Sequence, residues 1–176
     1  MAATINATIK SETANSYVTL TEANSYFETV PDSSTWTDKT DDQKNRALIS
    51  ATRWIDTFVY QGDRCDENQA LKFPRTNYQV DRVELSCSTI PLNIKYAQYE
   101  LARALANDTD AMTGNLGTDG NIEELKLGDI QVKYNIQSQG TRSVNNVLDK
   151  YPWLQSYLGA YILGGAGSFQ MRVVRG

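Results

Sequence analysis

The sequence predicts a mainly α fold, a small helical bundle with one β-hairpin and an extended C-terminal arm. Apolar residues recur at three- and four-residue steps over residues 41–59 and again over residues 91–107, which is typical of two long amphipathic helices. Partial two-residue alternation on both sides of Gly128-Asp129 indicates a hairpin. The 176 residues, 40% of them hydrophobic and 22% charged, fit one soluble folded domain.

Cap signals place the first helices. Thr21 is the expected N-cap of a short helix that has Tyr26 and Phe27 on one face. Thr40, followed three residues later by Gln43, has the spacing of a capping box and begins the first long helix. A glycine soon after the last periodic residue, at position 62, is expected to end that helix.

The second half of the chain is predicted to contain shorter elements. Pro91 begins the second long helix, which continues to about Asn107, and the hairpin falls near residues 122–136. Two short helices follow at residues 143–148 and 153–163, the second ended by a glycine-rich stretch.

These elements predict a single domain that spans residues 1–176. Its helical core, which includes the hairpin, occupies residues 1–140, and the short helices and C-terminal arm occupy residues 141–176.

The residue types present argue against an enzyme, a metal site and a cofactor site. The chain has no histidine, which excludes Ser-His-Asp and Cys-His nucleophiles and histidine-ligated zinc or iron. Gly114, Gly117 and Gly120 lie in a polar loop, without the strand and helix that flank a dinucleotide-binding glycine motif. The carboxylates around that loop lack the ligand order of an EF-hand. We therefore predict a non-enzymatic protein without cofactor or metal.

Charge is distributed unevenly along the chain. The formal net charge is -4 and the pI is about 4.9, which argues against a nucleic-acid footprint over the whole chain. The last 36 residues carry four basic side chains against the single acid Asp149, so the negative charge is concentrated in residues 1–140.

Membrane insertion and a disulfide are not expected. No apolar run approaches the roughly 20 residues of a membrane span, and no export signal is recognisable. Cys65 and Cys87 are too few for a thiolate zinc site, so they are expected to be buried free thiols.

One group of aromatic residues allows two interpretations, packing in a core or subunit interface and stacking against single-stranded bases. Base stacking also needs cations between the rings, and few are available in the sequence, so packing is favoured. The aromatic residues are Tyr96, Tyr99, Tyr151, Trp153, Tyr157 and Tyr161, and the nearby cations are Lys95, Arg103, Arg142 and Lys150.

Six patches of sequence, taken in order, form a recognisable set. They are NSYVTLTEANSYF at residues 15–27, ALISATRWID at 47–56, LKFPRTN at 71–77, IPLNIKYAQYELA at 90–102, KLGDIQVKY at 126–134 and RVVRG at 172–176. Together they resemble the head-tail adaptor proteins of tailed bacteriophages, small neck proteins that are also labelled DnaT-like single-stranded-DNA-binding proteins. Family patterns commonly carry tryptophan and glycine at the positions of Phe73 and Asn77, and both replacements keep an aromatic ring and a turn-forming residue.

The resemblance implies a head-tail connector-like fold and a structural virion protein. A homo-oligomeric ring, by family resemblance a dodecamer, is expected below the portal at the head-tail junction, assembled in the host cytoplasm. It would complete the DNA-filled head and provide the attachment surface for a tail, nozzle or tail-terminator protein. Genomic DNA would pass through the lumen without sequence-specific binding, and the acidic balance of residues 1–140 suits a channel that does not hold phosphates.

The same resemblance makes the extension after Leu163 the expected contact with the portal protein. An apolar and basic segment of this kind needs a covering partner, although a frayed terminus or a last strand on the hairpin is also open. The expected contact residues are the apolar anchors Phe169, Met171, Val173 and Val174 and the charged residues Arg172 and Arg175.

A second function is kept open beside the adaptor. A DnaT-like replication accessory protein would bind single-stranded DNA through aromatic stacking and the positive C-terminal stretch. The acidic pI argues against this function.

Overall fold

The computed structural model describes residues 3–108, 124–127, 130–133 and 145–163. Within these residues it contains six helices and three two-stranded antiparallel sheets. The helices are α1 (Leu20–Glu28), α2 (Ser34–Thr37), α3 (Asp41–Ile55), α4 (Leu92–Asn107), α5 (Asn145–Lys150) and α6 (Leu154–Leu158). The strands are β1 (Asp63–Arg64), β2 (Arg75–Thr76), β3 (Gln79–Val80), β4 (Val83–Glu84), β5 (Glu124–Leu127) and β6 (Ile130–Lys133), paired in that order.

The two long helices, α3 and α4, form the centre of the fold and pack against each other. Each places a stripe of apolar residues at helical spacing on the shared face, which is fully buried. Helix α1 packs on α3, and α2 and α6 pack on α4. The predicted mainly α architecture is therefore confirmed. The buried stripes are Ala47, Leu48, Ala51 and Ile55 on α3, and Ile94, Ala97, Leu101 and Leu105 on α4.

One of the two predicted caps is confirmed and the other is wrong. The Thr40 hydroxyl accepts from the Gln43 amide at 3.3 Å and the Gln43 side chain accepts from the Thr40 amide at 3.0 Å, a complete capping box. Helix α1 is capped by Thr19 and not by Thr21. Thr19 has a glutamate three residues later, Glu22, whose carboxylate accepts from the Thr19 amide at 2.8 Å.

Helix α3 ends at Ile55, earlier than the sequence predicts. The Tyr60 hydroxyl donates to the Ile55 carbonyl at 2.7 Å and so satisfies an acceptor at the helix end. Gly62 serves the turn after the helix, where its φ of +72° suits glycine. Asn77 has a φ of +57°, which explains why a residue tolerant of the left-handed region is needed there.

The predicted hairpin near residues 122–136 is confirmed in its strands, since β5 pairs with β6 with Leu127 opposite Ile130. The predicted helix at 153–163 is too long, because α6 ends at Leu158. The chain then pairs with the segment after α3, where the Leu163 amide donates to the Val59 carbonyl at 2.8 Å. This pairing depends on residues far apart in sequence and leaves no local signal.

The expectation of free thiols is also wrong, because Cys65 and Cys87 form a disulfide. Strands β1–β4, which were not predicted from the sequence, fold the connection between α3 and α4 back on itself and bring the two cysteines together. Of the helices in the described ranges, none is both long and apolar enough to cross a membrane.

Candidate partner-binding cleft

Three of the patches that carry the family resemblance meet at Gln98, a fully buried polar residue on α4. Its amide donates to the Ser16 hydroxyl at 2.7 Å and to the Leu48 carbonyl at 3.1 Å, and its carbonyl accepts from the Tyr17 amide at 3.1 Å. These bonds join the N-terminal segment to α3 and α4. Because this buried amide has hydrogen-bond partners in all three segments, it favours one specific packing of them.

The patch at residues 71–77 joins the same core through Asp56. The Tyr17 hydroxyl donates to one carboxylate oxygen of Asp56, and the Lys72 amide donates to the other at 3.1 Å. Burial raises the pKa of Asp56 to about 6, although the hydrogen bonds from Tyr17 and Lys72 act in the opposite direction. Burial, together with the neighbouring Asp56, also holds the pKa of Tyr17 well above its usual value.

We expect Asp56→Asn to change the pH dependence of stability. Because the pKa of Asp56 is raised on folding, its contribution is fully present below about pH 4, the unfolded value, and is lost as the pH rises through about 6. The variant keeps an acceptor for the Lys72 amide and does not ionise. Urea unfolding between pH 4 and pH 8 is therefore expected to show the variant gaining stability relative to the natural chain up to about pH 7. Parallel pH profiles would contradict this assignment.

Arg75, in the same patch, is a buried cation that holds backbone carbonyls. Its guanidinium donates to the carbonyl of Gln61 at 2.7 Å and to those of Tyr60 and Lys72 at 3.2 Å, with a further bond to Gly62. Phe73 beside it is 2% exposed and packs edge-on against the rings of neighbouring tyrosines. The most recognisable patches of this sequence therefore build the fold.

A cleft of about 410 Å³ lies on the other side of α4. One wall comes from α2 and the exposed side of α4, and the other from the aromatic residues around α6. A pocket of this kind, with rings and a few polar groups, is typical of a binding site. Its lining residues are Thr35, Glu100, Arg103, Ala104, Asn107, Tyr151, Trp153 and Tyr157.

The aromatic wall of the cleft is continuous with the core. Trp153 lies between Tyr151 and Tyr157, with ring centroids 5.9 Å and 6.4 Å away. The Tyr157 ring contacts the Tyr96 ring, with a centroid distance of 6.3 Å, and the Tyr96 ring contacts the Tyr26 ring in turn. Rings held in this way present a wide contact surface that loses little side-chain entropy on binding.

The charged groups at the cleft are paired. Arg103 contacts the Glu100 carboxylate at 2.6 Å, and the other oxygen of that carboxylate accepts from the Tyr26 hydroxyl at 2.7 Å. Lys150 lies 5.9 Å from the Tyr151 ring and contacts Asp108 at 2.6 Å. Burial raises the pKa of the Tyr151 hydroxyl beside that pair. The cleft is therefore lined by aromatic rings and the Arg103–Glu100 pair, and the Lys150–Asp108 pair lies beside its Tyr151.

The structure separates the aromatic residues that the sequence grouped together. Tyr99 and Tyr161 are each 6% exposed and belong to the core, which confirms packing for these two. Tyr151, Trp153 and Tyr157 line the cleft, and the neighbouring cation Lys95 is paired with Glu22 elsewhere. The proximity of α6 to α4 could not be read from local sequence. Arg142 and the expected portal contacts, Phe169, Met171, Arg172, Val173, Val174 and Arg175, lie outside the described residues.

Comparison with known proteins identifies a family. A family model described as "Putative DnaT-like ssDNA binding protein" matches residues 1–176. No curated protein and no solved structure matches the chain. The family description agrees with the second of the two functions expected from the sequence and makes no mention of a phage neck. Because the match covers the whole chain, this protein belongs to the DnaT-like single-stranded-DNA-binding family.

Proposed function

We propose that this chain is a head-tail adaptor of a tailed bacteriophage, a non-enzymatic protein that acts through contacts with other proteins. Its partners are further copies of itself in a ring, the portal protein on one side and a tail protein on the other. The proposal starts from the resemblance of the sequence patches at residues 15–27, 47–56, 71–77 and 90–102 to such adaptors.

The pairing of charges at the aromatic cleft is the structural observation that favours protein partners. Phosphate binding depends on cations that are free to replace counterions. Here Arg103 and Lys150 are already neutralised by Glu100 and Asp108. Tryptophan, tyrosine and arginine are the residues that most often dominate protein interfaces. The cleft has this composition, with Trp153 at the centre of its aromatic wall.

Co-expression with the portal protein encoded in the same genome tests the proposal. Native mass spectrometry should show portal rings that carry this chain in one ring's worth of copies, on the order of ten. Removing residues 168–176 should abolish the association while circular dichroism keeps the helical signal. Absence of any complex with the portal would overturn the proposal.

The aromatic cleft gives the same test a matched pair of variants. Trp153→Ala should weaken assembly at least tenfold, because it removes the central ring of the wall, whereas Trp153→Phe should retain most of it. Equal assembly by both variants and the natural chain would show that the cleft is not an interface.

Single-stranded-DNA binding is the second candidate, favoured by the family description and by the row of rings at Tyr151, Trp153 and Tyr157. Base stacking contributes about 1–3 kcal/mol per base, so three rings could hold a short strand. Arg103 and Lys150 would first have to release Glu100 and Asp108. The family description supports this candidate, and the paired cations are the structural observation against it.

Fluorescence anisotropy with a labelled oligothymidylate of about 20 nucleotides in low salt separates the two functions. The adaptor proposal expects no binding at micromolar protein. Binding that weakens steeply with salt and is lost in Trp153→Ala, together with no portal complex, would establish the second candidate in its place.

A further inference from the structure

The Cys65–Cys87 disulfide lies at the edge of the helical body. It closes a segment of the connection between α3 and α4 that contains no helix and only two-residue strands. Both cysteine residues are partly exposed.

The first half of this segment is held on the body by groups other than the disulfide. Phe73 and Arg75 are buried, and Gln69, at 2% exposure, donates to the carbonyls of Leu71 and Pro74 at 2.8 Å and 3.1 Å. These contacts involve neither cysteine.

The second half, residues 79–89, is held much more weakly. It contains the β3–β4 ladder of two residues on each side and one further backbone bond, from the Leu85 amide to the Tyr78 carbonyl at 2.9 Å. Val80 and Leu85 are partly buried against the core, whereas Val83 is 69% exposed. In this half, the disulfide adds a covalent cross-link from Cys87 to Cys65, at the start of the connection.

We propose that the Cys65–Cys87 disulfide is a redox-sensitive staple that orders the surface of residues 79–89 and leaves the helical core and the cleft unaffected. In a thiol-rich compartment the surface is loose, and in an oxidising one it is fixed. This inference does not depend on which partner the chain binds.

The chemistry is ordinary thiol-disulfide exchange. One thiolate of a dithiol attacks a cysteine sulfur and breaks the S–S bond, which gives a mixed disulfide and one free cysteine thiolate. The second thiolate of the reductant then closes its own cyclic disulfide and releases the other cysteine. Two electrons pass to the chain, and protonation leaves two thiols. A small disulfide such as oxidised glutathione reverses the exchange.

Hydrogen exchange on the full chain, with and without dithiothreitol, tests the staple. Reduction should accelerate exchange at least tenfold in the β3–β4 region, including the Leu85 amide, while the amides of Leu101 and Ala102 in α4 stay unchanged. The chain has two cysteines in total, so the reductant has no other target on it. The double variant Cys65→Ser/Cys87→Ser is the matched control. Its exchange rates should equal those of the reduced chain and should not change when dithiothreitol is added.

Three results would overturn the proposal. The first is exchange in residues 79–89 that does not change on reduction. The second is acceleration that extends to α4, which would make the bond a staple of the whole fold. The third is a chain that, purified in air, reacts with two equivalents of maleimide and therefore holds free thiols.

Discussion

Arg75→Ala is expected to be among the most destabilising single substitutions in this chain, lowering the free energy of unfolding by about 3–5 kcal/mol. The guanidinium is the shared donor to the carbonyls of Tyr60, Gln61 and Lys72, and truncation leaves the buried Tyr60 carbonyl and the partly buried Gln61 and Lys72 carbonyls without this donor. Urea unfolding followed by tryptophan fluorescence measures the loss.

Arg64→Ala is the matched control for this experiment. Arg64 lies opposite Arg75 in the β1–β2 ladder but is exposed, so its truncation is expected to change stability by less than about 0.5 kcal/mol. Arg75→Lys should also be destabilising, because a single ammonium cannot reproduce the planar fork that reaches several carbonyls. Equal stabilities for Arg75→Ala and Arg64→Ala would contradict the role assigned to the buried guanidinium.

Gln98→Leu is expected to cost about 3 kcal/mol or more, although leucine is apolar and of similar size. The substitution leaves the Tyr17 amide, the Ser16 hydroxyl and the Leu48 carbonyl without the partner that Gln98 supplies. Thermal and urea unfolding should both show the loss, and hydrogen exchange should show the Tyr17 amide losing protection first.

Leu92→Gln provides the comparison on the same helix. Here an apolar side chain is replaced by a polar one. Because Leu92 is 53% exposed, the free energy of unfolding should change by less than about 0.5 kcal/mol. Equal stabilities for Gln98→Leu and Leu92→Gln would show that the hydrogen bonds of the buried Gln98 amide do not stabilise the fold.

Residues from four of the family patches form the hydrogen bonds that these two predictions test. Ser16, Tyr17, Leu48 and Gln98 come from three separate patches and share one set of hydrogen bonds. Arg75 from a fourth patch holds the connection between α3 and α4. The patches at residues 15–27, 47–56, 71–77 and 90–102 therefore each supply part of one packed interior. The match of the whole chain to the family model identifies the family and does not identify the partner.

The family description favours single-stranded DNA as the partner, whereas the paired charges favour a protein. Both proposals place the partner at the aromatic cleft, so they can be tested at the same site. Its rings would suit bases or a protein segment equally well. The paired state of Arg103 and Lys150, each within 2.6 Å of a carboxylate, is the basis for the proposed protein partner. The portal and oligothymidylate experiments apply the same Trp153 variants to both partners, so their results can be compared directly.

The sequence by itself determined the elements whose signals are local. The Thr40 capping box, the apolar stripes of α3 and α4 and the hairpin of β5 and β6 depend on residues within a few positions of each other, and the structure contains all of them. The absence of histidine likewise excluded whole classes of catalytic and metal site before any fold was known.

Only the tertiary structure decided the features that depend on distant parts of the chain. The Cys65–Cys87 bond, the chain pairing that follows the early end of α6 at Leu158, and the aromatic cleft each join segments separated by some 20 to 120 residues. Local periodicity carries no information about such contacts, because they form only when α3 and α4 pack and bring their connections together. The same packing buries Tyr99 and leaves Trp153 at the cleft. The local sequence around these two aromatic residues does not predict which of them is buried.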